Sequence, residues 1–152
     1  MNNVDLTIDE TFNLAVKNHL ESKTDIAQEL YNQVLKIDPN HLFALNNLGI
    51  IFKELGQIQK AKNCYERAIR INPNYADALN NLGIIFKELG QIEKAKNCYE
   101  KAIRINPNYA NALNNLGVVF GKLRDNQKAK DCYEKAIKIN PNYADAHNNL
   151  GI

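Results

Sequence analysis

The feature that most constrains the fold of this chain is a constant spacing of 34 residues between its prolines. The same spacing separates a set of glycines and all of the cysteines. The recurring positions are Pro39, Pro73, Pro107 and Pro141; Gly49, Gly83, Gly117 and Gly151; and Cys64, Cys98 and Cys132. A regular period of this length indicates a tandem array, in which each unit buries its apolar face against its neighbours. We therefore expect an array of stacked units rather than a domain with one closed core.

Charge and hydropathy exclude several classes of protein. The chain has 19 Lys and Arg against 17 Asp and Glu, a net charge of +2, which is far from the excess that neutralises phosphates, so we expect no nucleic-acid partner. No apolar run has the length of a signal peptide or of a membrane span. The sequence thus predicts a cytoplasmic protein with no membrane partner. An odd number of cysteines in such a chain indicates reduced thiols.

Each unit contains two runs of apolar residues at helical spacing, which predicts a pair of helices. In residues 76–109 these runs are Leu79, Leu82, Ile85, Phe86 and Leu89, then Ile92, Ala95, Tyr99, Ala102, Ile103 and Ile105. Gly90 follows the first run, where a residue with positive φ ends a helix, and Pro107 ends the second run.

Polar and small residues make further local predictions. Asn74, three residues before Asp77, predicts the N-cap of the first helix, and Thr7 with Glu10 predicts a capping box at the start of the chain. Glycine inside a helix costs about 1 kcal/mol relative to alanine. We therefore expect Gly83 to allow a close approach, with Ala95 and its neighbours on the second helix as the partner.

This helix–turn–helix unit resembles the tetratricopeptide repeat. The residues that carry the resemblance are Leu79, Leu82-Gly83, Phe86, Ala95, Tyr99, Ala102 and Pro107. The resemblance implies an all-α fold, a right-handed α-solenoid of antiparallel helix pairs that forms a superhelix. It also implies a function in protein or peptide binding.

The pattern divides residues 1–152 into one array with five segments. These are a degenerate N-terminal repeat at 8–41, full repeats at 42–75, 76–109 and 110–143, and the truncated start of a further repeat at 144–152. The repeat at 110–143 has Arg124 where the others have glycine and Asn126 where they have isoleucine. The pattern therefore does not predict the geometry of that turn.

We find no residue pattern for catalysis, a cofactor or a metal. His19, His41 and His147 occupy three different places in the repeat and have no i, i+4 histidine partner. Equivalent cysteines of stacked repeats lie at least about 8–10 Å apart, too far for a disulfide. We interpret the cysteines as small apolar residues of the second helix. The sequence predicts a protein that is not an enzyme, with no cofactor and no metal.

A candidate binding surface follows from a helical wheel of the first helix, with Ala76 as position 1 and about 100° per residue. Positions 4, 7, 8 and 11 form the core side, and positions 2, 6 and 9 lie opposite. In the repeats from residue 42 onward, position 6 is asparagine: Asn47, Asn81, Asn115 and Asn149. An amide both donates and accepts, so a row of asparagines can pair with the backbone of an extended peptide. Asparagine is a poor helix former, which favours a binding role over duplication alone.

This row, the asparagine ladder, resembles the one that lines the tetratricopeptide superhelix of O-linked N-acetylglucosamine transferases. The resemblance implies that Asp77 and Asp145, at position 2, contact ligand side chains, whereas Phe43 and Asn111 do not match. It also implies that the chain is the substrate-recruiting arm of a larger enzyme of glycosyltransferase type. At position 5 we expect inter-repeat hydrogen bonding or helix solvation; these residues are Asn46, Asn80 and Asn114.

Other functions are weighed against peptide binding. Capture of a C-terminal carboxylate is disfavoured because position 5 is asparagine and position 2 is never basic. The alternative function is a self-assembly scaffold that oligomerises through its repeats.

Residues 144–152 begin a helix, with Asn142 and Asp145 predicted at its cap, and no second helix covers it. We expect an apolar end that pairs as a closed homodimer. An RNA-binding repeat is least favoured, because its groove would be basic.

Overall fold

The computed structural model describes residues 6–151, and within this range every regular element is a helix. The helices are α1 (Ile8–Leu20), α2 (Thr24–Ile37), α3 (Leu42–Glu54), α4 (Ile58–Ile71), α5 (Ala76–Glu88), α6 (Ile92–Ile105), α7 (Ala110–Lys122), α8 (Asn126–Ile139) and α9 (Ala144–Leu150). The all-helical fold class predicted from the sequence is confirmed. Ile152, the last residue of the segment predicted at 144–152, lies outside the described residues.

The chain divides into two compact units, Met1–Pro73 and Asn74–Ile152. In the first unit α1 packs against α2, α3 packs against α4, and α2 also contacts α3. One cluster of its core packs alanines and aliphatic side chains around the Tyr31 ring, and consists of Ala15, Ala27, Tyr31, Val34, Ala44, Leu48 and Ile51. Alanines at helix crossings let the backbones approach, and the large ring then fills the space that remains.

The second unit repeats this arrangement. Its pairs are α5 with α6 and α7 with α8, and α6 contacts α7 as α8 contacts α9. The first helices of successive pairs also touch, since α5 contacts α7 and α7 contacts α9. Side chains of α5, α7 and α9 are therefore close enough to interact directly.

The first helix of a pair ends in a turn that requires a positive φ. Gly90 has φ +71°, its N–H donates to the Lys87 carbonyl at 3.1 Å, and the Gln91 N–H donates to the Phe86 carbonyl at 2.8 Å. These two bonds define a Schellman motif. The positive φ predicted at Gly90 is confirmed.

The corresponding turn after α7 has the same geometry although glycine is replaced. Arg124 has φ 61°; its N–H donates to the Gly121 carbonyl, and the Asp125 N–H donates to the Phe120 carbonyl, both at 3.0 Å. The hydrogen bonds of the turn thus hold a non-glycine residue in the left-handed region, which is sterically unfavourable for it.

The helix N-termini confirm one cap prediction and contradict two. Thr7 forms the predicted capping box: its N–H donates to Glu10 Oε2 at 2.8 Å, and the Glu10 N–H donates to Thr7 Oγ1 at 3.2 Å. Asn74 and Asn142 do not cap, however, because Tyr75 and Tyr143 occupy the N-cap positions and make no side-chain cap bond.

An asparagine turn explains the shift before α9. The Asn142 N–H donates to Asn140 Oδ1 at 3.2 Å. This bond engages Asn142 in the turn around Pro141, and Tyr143 instead of Asn142 is the N-cap of the helix, which starts at Ala144 as predicted. Asp145 consequently lies in the first turn of α9.

The close approach at Gly83 involves a different partner from the one predicted. A Cβ atom at Gly83 would lie 2.6 Å from Cε1 of Tyr99, so the tyrosine ring, and not Ala95, occupies the space that glycine provides. The same contact joins Gly49 to Tyr65 and Gly117 to Tyr133. The pairs α3–α4, α5–α6 and α7–α8 thus each pack a tyrosine ring directly on the backbone of the first helix.

We predict that Gly83→Ala destabilises the protein by about 1–3 kcal/mol, because the added methyl group overlaps the Tyr99 ring. Gly121→Ala is the matched control, since a Cβ atom there meets no atom within 4 Å. The control should stabilise the helix by up to about 1 kcal/mol. Urea unfolding followed by circular dichroism measures both effects, and equal shifts of the two variants would contradict the packing explanation.

We predict that Arg124→Gly raises the free energy of unfolding by about 1 kcal/mol, because glycine adopts the φ of 61° without steric cost. The reciprocal change Gly90→Arg should lower it by a similar amount. Thermal unfolding of the two variants beside the unmodified chain tests this. A loss of stability in Arg124→Gly would mean that the arginine side chain contributes more than the backbone strain costs.

Candidate functional site

The ladder asparagine of the first unit is held by a buried tyrosine. Asn47 is half-buried on α3, and its Nδ2 donates to Tyr31 Oη at 3.1 Å. The Nδ2 of the neighbouring Asn46 lies 3.4 Å from Asn47 Oδ1. The carboxamide of Asn47 is therefore fixed by residues of its own unit.

In the second unit the ladder asparagines are bound to the asparagines at position 5. Asn115 Nδ2 donates to Asn80 Oδ1 at 3.2 Å, and Asn149 Nδ2 donates to Asn114 Oδ1 at 3.0 Å. Asn80 and Asn114 are only 4% and 5% exposed. Position 5 thus forms inter-repeat hydrogen bonds here, as predicted.

These bonds use one N–H of each ladder amide. A carboxamide has two N–H donors and a carbonyl acceptor, so the bond to Asn80 leaves one N–H and Oδ1 of Asn115 outside it. Asn115 is half-buried and Asn149 is exposed. Asn81, the remaining predicted ladder residue, is half-buried on α5.

The aspartates predicted to contact ligand side chains lie beside tyrosines. Asp77 is exposed in the first turn of α5, and the Tyr109 hydroxyl donates a hydrogen bond to its carboxylate. Asp145 is exposed in the first turn of α9, close to Tyr143. Burial, followed by these carboxylates, raises the pKa of both tyrosines above the usual range. Asp77 is thus already engaged by one hydroxyl of its own unit.

A row of tyrosines beside position 2 was not predicted from the sequence. Tyr75, Tyr109 and Tyr143 recur with the period of the array and precede α5, α7 and α9. Burial, with a contribution from Asp77, raises the pKa of Tyr75 to about 12. Their regular spacing in the sequence could have indicated this row, because it places each tyrosine just before a first helix and therefore near position 2.

Position 2 of the first unit has a different character. Phe43 is 59% exposed, and its ring centroid lies 6.4 Å from that of Phe12 and 6.3 Å from that of His41. His41 also caps α3, because its Nδ1 accepts the Ala44 N–H at 3.1 Å. Helix α3 therefore presents an aromatic cluster at the position where α5 and α9 present aspartates.

Two of the cavities differ in size and in whether a ladder residue lines them. Asn149 lines a cavity of about 300 Å³ with Tyr133, Gly121 and Leu150. A larger cavity, of about 690 Å³, lies between α2 and α4 in the first unit, with Asp25, Glu29, Lys36 and Arg67 among its lining residues. This second cavity belongs to the second helices of the pairs, and it contains none of the predicted site residues.

The surface of α9 differs from the apolar end predicted from the sequence. Its exposed side chains are Ala144, Asp145, Asn148 and Asn149, while Leu150 is half-buried and Ala146 is fully buried. The described part of α9 therefore has no exposed large apolar side chain. Packing of Ala146 with Leu113 and Ala136 accounts for this difference.

Within residues 6–151, no group of three or more His, Cys, Asp and Glu side chains is placed to hold a metal ion. The cysteines are free thiols; Cys98 and Cys132 are buried and Cys64 is half-buried. Across the same residues, none of the helices combines the length and the apolar character that crossing a membrane requires.

Family models of the tetratricopeptide repeat match most of the chain. The matches cover residues 30–63, 50–90, 85–123 and 110–143. Together they extend without a gap from residue 30 to residue 143. The helix pairs of both units contribute to these matches.

Solved structures and one curated relative are similar to this chain. A crystal structure of MamA is 28% identical, with a TM-score of 0.78 over 90% of this chain and 80% of that one. PilF of Pseudomonas aeruginosa has a TM-score of 0.86 at 23% identity, over 94% of this chain and 65% of that one, a likeness of fold alone. The uncharacterized protein ycf37 of Pyropia yezoensis is 42% identical over 41 residues, 27% of this chain and 23% of that protein.

We predict slow alkylation of the native thiols. Burial raises the pKa of Cys64 and of Cys132 to about 11, so about one thiol in a thousand is the reactive thiolate at pH 8. Mass spectrometry after timed exposure to iodoacetamide measures the rate, with protein unfolded in guanidinium chloride as the control. Equal rates in the native and unfolded protein would contradict the structural interpretation of these cysteines.

Proposed function

Because this chain belongs to the tetratricopeptide repeat family, we propose that it is a non-catalytic interaction module that binds an extended peptide segment along its first helices. The repeats and the likeness to MamA support a protein-interaction scaffold role. The contact residues that we propose are Asn47 in the first unit, and Asn81, Asn115, Asn149, Asp77 and Asp145 in the second unit. A role as the recruiting arm of a glycosyltransferase rests on resemblance alone, so the proposal concerns binding.

The observation that carries the proposal is the anchoring of the ladder amides. Asn115 and Asn149 are tied to nearly buried partners by single hydrogen bonds, and each keeps a donor and an acceptor outside that bond. A polar group held in one orientation loses less conformational entropy when a ligand binds. Solvated surface asparagines would not have this property.

The proposed ligand contacts are sequence-tolerant and individually weak. One hydrogen bond to a peptide backbone contributes about 0.5–1.5 kcal/mol net. Four ladder asparagines therefore supply only about 2–6 kcal/mol before the cost of ordering the peptide is subtracted. We expect dissociation constants in the micromolar range or weaker.

Self-assembly is the other function that the sequence favoured. A closed homodimer through α9 was predicted from an apolar surface, and the exposed residues of α9 are mainly polar. Polar surfaces contribute little to the core of a stable interface. Peptide binding is therefore the function that the described surface supports better.

We predict that replacing Asn81 and Asn115 together by alanine weakens the binding of unrelated unstructured peptides alike, by about 5- to 100-fold, because two backbone contacts are lost. Asn97→Ala is the matched control, since Asn97 is exposed on α6, a second helix. Fluorescence anisotropy with several labelled peptides measures the affinities.

Unchanged affinity in the double variant, for a peptide that the unmodified chain binds, would show that the ladder is not the binding surface. Circular dichroism confirms that both variants retain their helices. Equal weakening by Asn97→Ala would show that the effect is a general loss of stability.

A further inference from the structure

The two units hold equivalent ladder asparagines in different ways. Asn47 donates to the hydroxyl of the buried Tyr31. Asn115 follows Tyr99 at the spacing of 16 residues that separates Asn47 from Tyr31, but it donates to Asn80 instead. The Tyr99 hydroxyl is buried and has no hydrogen-bond partner.

The difference correlates with one residue on the preceding first helix. This residue precedes each asparagine by 35 positions. It is Phe12 before Asn47 in the first unit, and Asn80 before Asn115 in the second unit. Phe12 has no polar atom in its side chain, and its ring packs against Tyr31 with centroids 5.8 Å apart. Asn80 offers a carbonyl oxygen.

Two buried acceptors therefore compete for one donor in the second unit. Asn80 and Tyr99 are 4% and 0% exposed, so neither the carbonyl nor the hydroxyl gains much from solvent. The side-chain carbonyl of Asn80 is a stronger acceptor than the Tyr99 hydroxyl, and unlike the hydroxyl it cannot act as a donor to another group. Leaving the carbonyl without a hydrogen bond therefore costs more free energy than leaving the hydroxyl without one. The donor goes to Asn80.

Asn114 and Asn149 repeat the arrangement at the end of the second unit. Asn114 accepts from Asn149 at 3.0 Å and is itself hydrogen-bonded to Tyr143. The side chain of Asn114 is thus held by Tyr143 as well as by its hydrogen bond from Asn149. A chain of bonded side chains of this kind restricts every amide in it.

We propose that, within each unit, the residue at position 5 of the preceding first helix sets the direction of the ladder carboxamides of Asn47, Asn115 and Asn149. An asparagine there turns the amide along the row of first helices, whereas an aromatic residue turns it toward the buried tyrosine. Asn80 and Asn114 are positioning residues of the ladder. The consequence for ligand affinity rests on the proposed function, but the consequence for amide direction does not.

Nuclear magnetic resonance of the free protein tests the direction. In the unmodified chain, the side-chain amide protons of Asn115 should show nuclear Overhauser effects to Asn80. In Asn80→Ala these should be replaced by effects to the ring protons of Tyr99, whereas Asn80→Asp, which keeps an acceptor oxygen, should retain the original pattern. Effects to Tyr99 that do not increase in Asn80→Ala would overturn the proposal.

The reciprocal variant Phe12→Asn keeps the proposal testable if the Asn80 variants do not fold. The introduced amide should draw the Asn47 side chain away from Tyr31, so the effects between Asn47 and the Tyr31 ring should weaken. Retention of the original effects in a folded Phe12→Asn protein would overturn the proposal as well.

Titration with an unstructured glycine–serine peptide tests the consequence for binding. We expect Asn80→Ala to bind it about 3- to 10-fold more weakly than the unmodified chain, and Asn80→Asp to bind it nearly as well. Equal affinity of Asn80→Ala and the unmodified chain would overturn the positioning role in binding. No binding to the unmodified chain, with the expected amide directions, would instead contradict the proposed function and support the proposal about direction.

Discussion

Three of the helix pairs depend on the contact between a glycine of the first helix and a tyrosine ring of the second helix: α3 with α4, α5 with α6, and α7 with α8. At Gly83 the Tyr99 ring lies where a side chain would begin, so the two helices pack at the distance that only glycine allows. The corresponding tyrosine of α2, Tyr31, packs in the core of the first unit, and its hydroxyl accepts a hydrogen bond from Asn47 of α3. Core packing and the proposed binding surface thus share one side chain.

The sequence predicted the repeated fold because periodicity reports which face of a helix is buried. It predicted the turn at Gly90 and the capping box at Thr7 because both depend on a few adjacent residues. It failed for the partner of Gly83, since Ala95 and Tyr99 are four residues apart and lie on the same helix face. Spacing identifies that face but does not say which side chain reaches the glycine.

The candidate site was predicted less completely, for a related reason. A helical wheel treats each helix alone, so it placed Asn115 on the surface without identifying Asn80 as its partner on another helix. The inter-repeat role of position 5 was nevertheless predicted. The engagement of Asp77 by Tyr109 was missed because the tyrosine lies outside the helix that carries the aspartate.

Successive repeats share the asparagine at position 6 and differ at position 2. Position 6 is Asn47 on α3 and Asn81 on α5, whereas position 2 is Phe43 on α3 and Asp77 on α5. An exposed aromatic ring favours apolar groups, and a carboxylate favours cations or donors. Affinity for any extended backbone and preference for particular side chains would therefore come from separate positions. Substitution at position 2 could then change ligand preference without disturbing the hydrogen bonds that join the first helices.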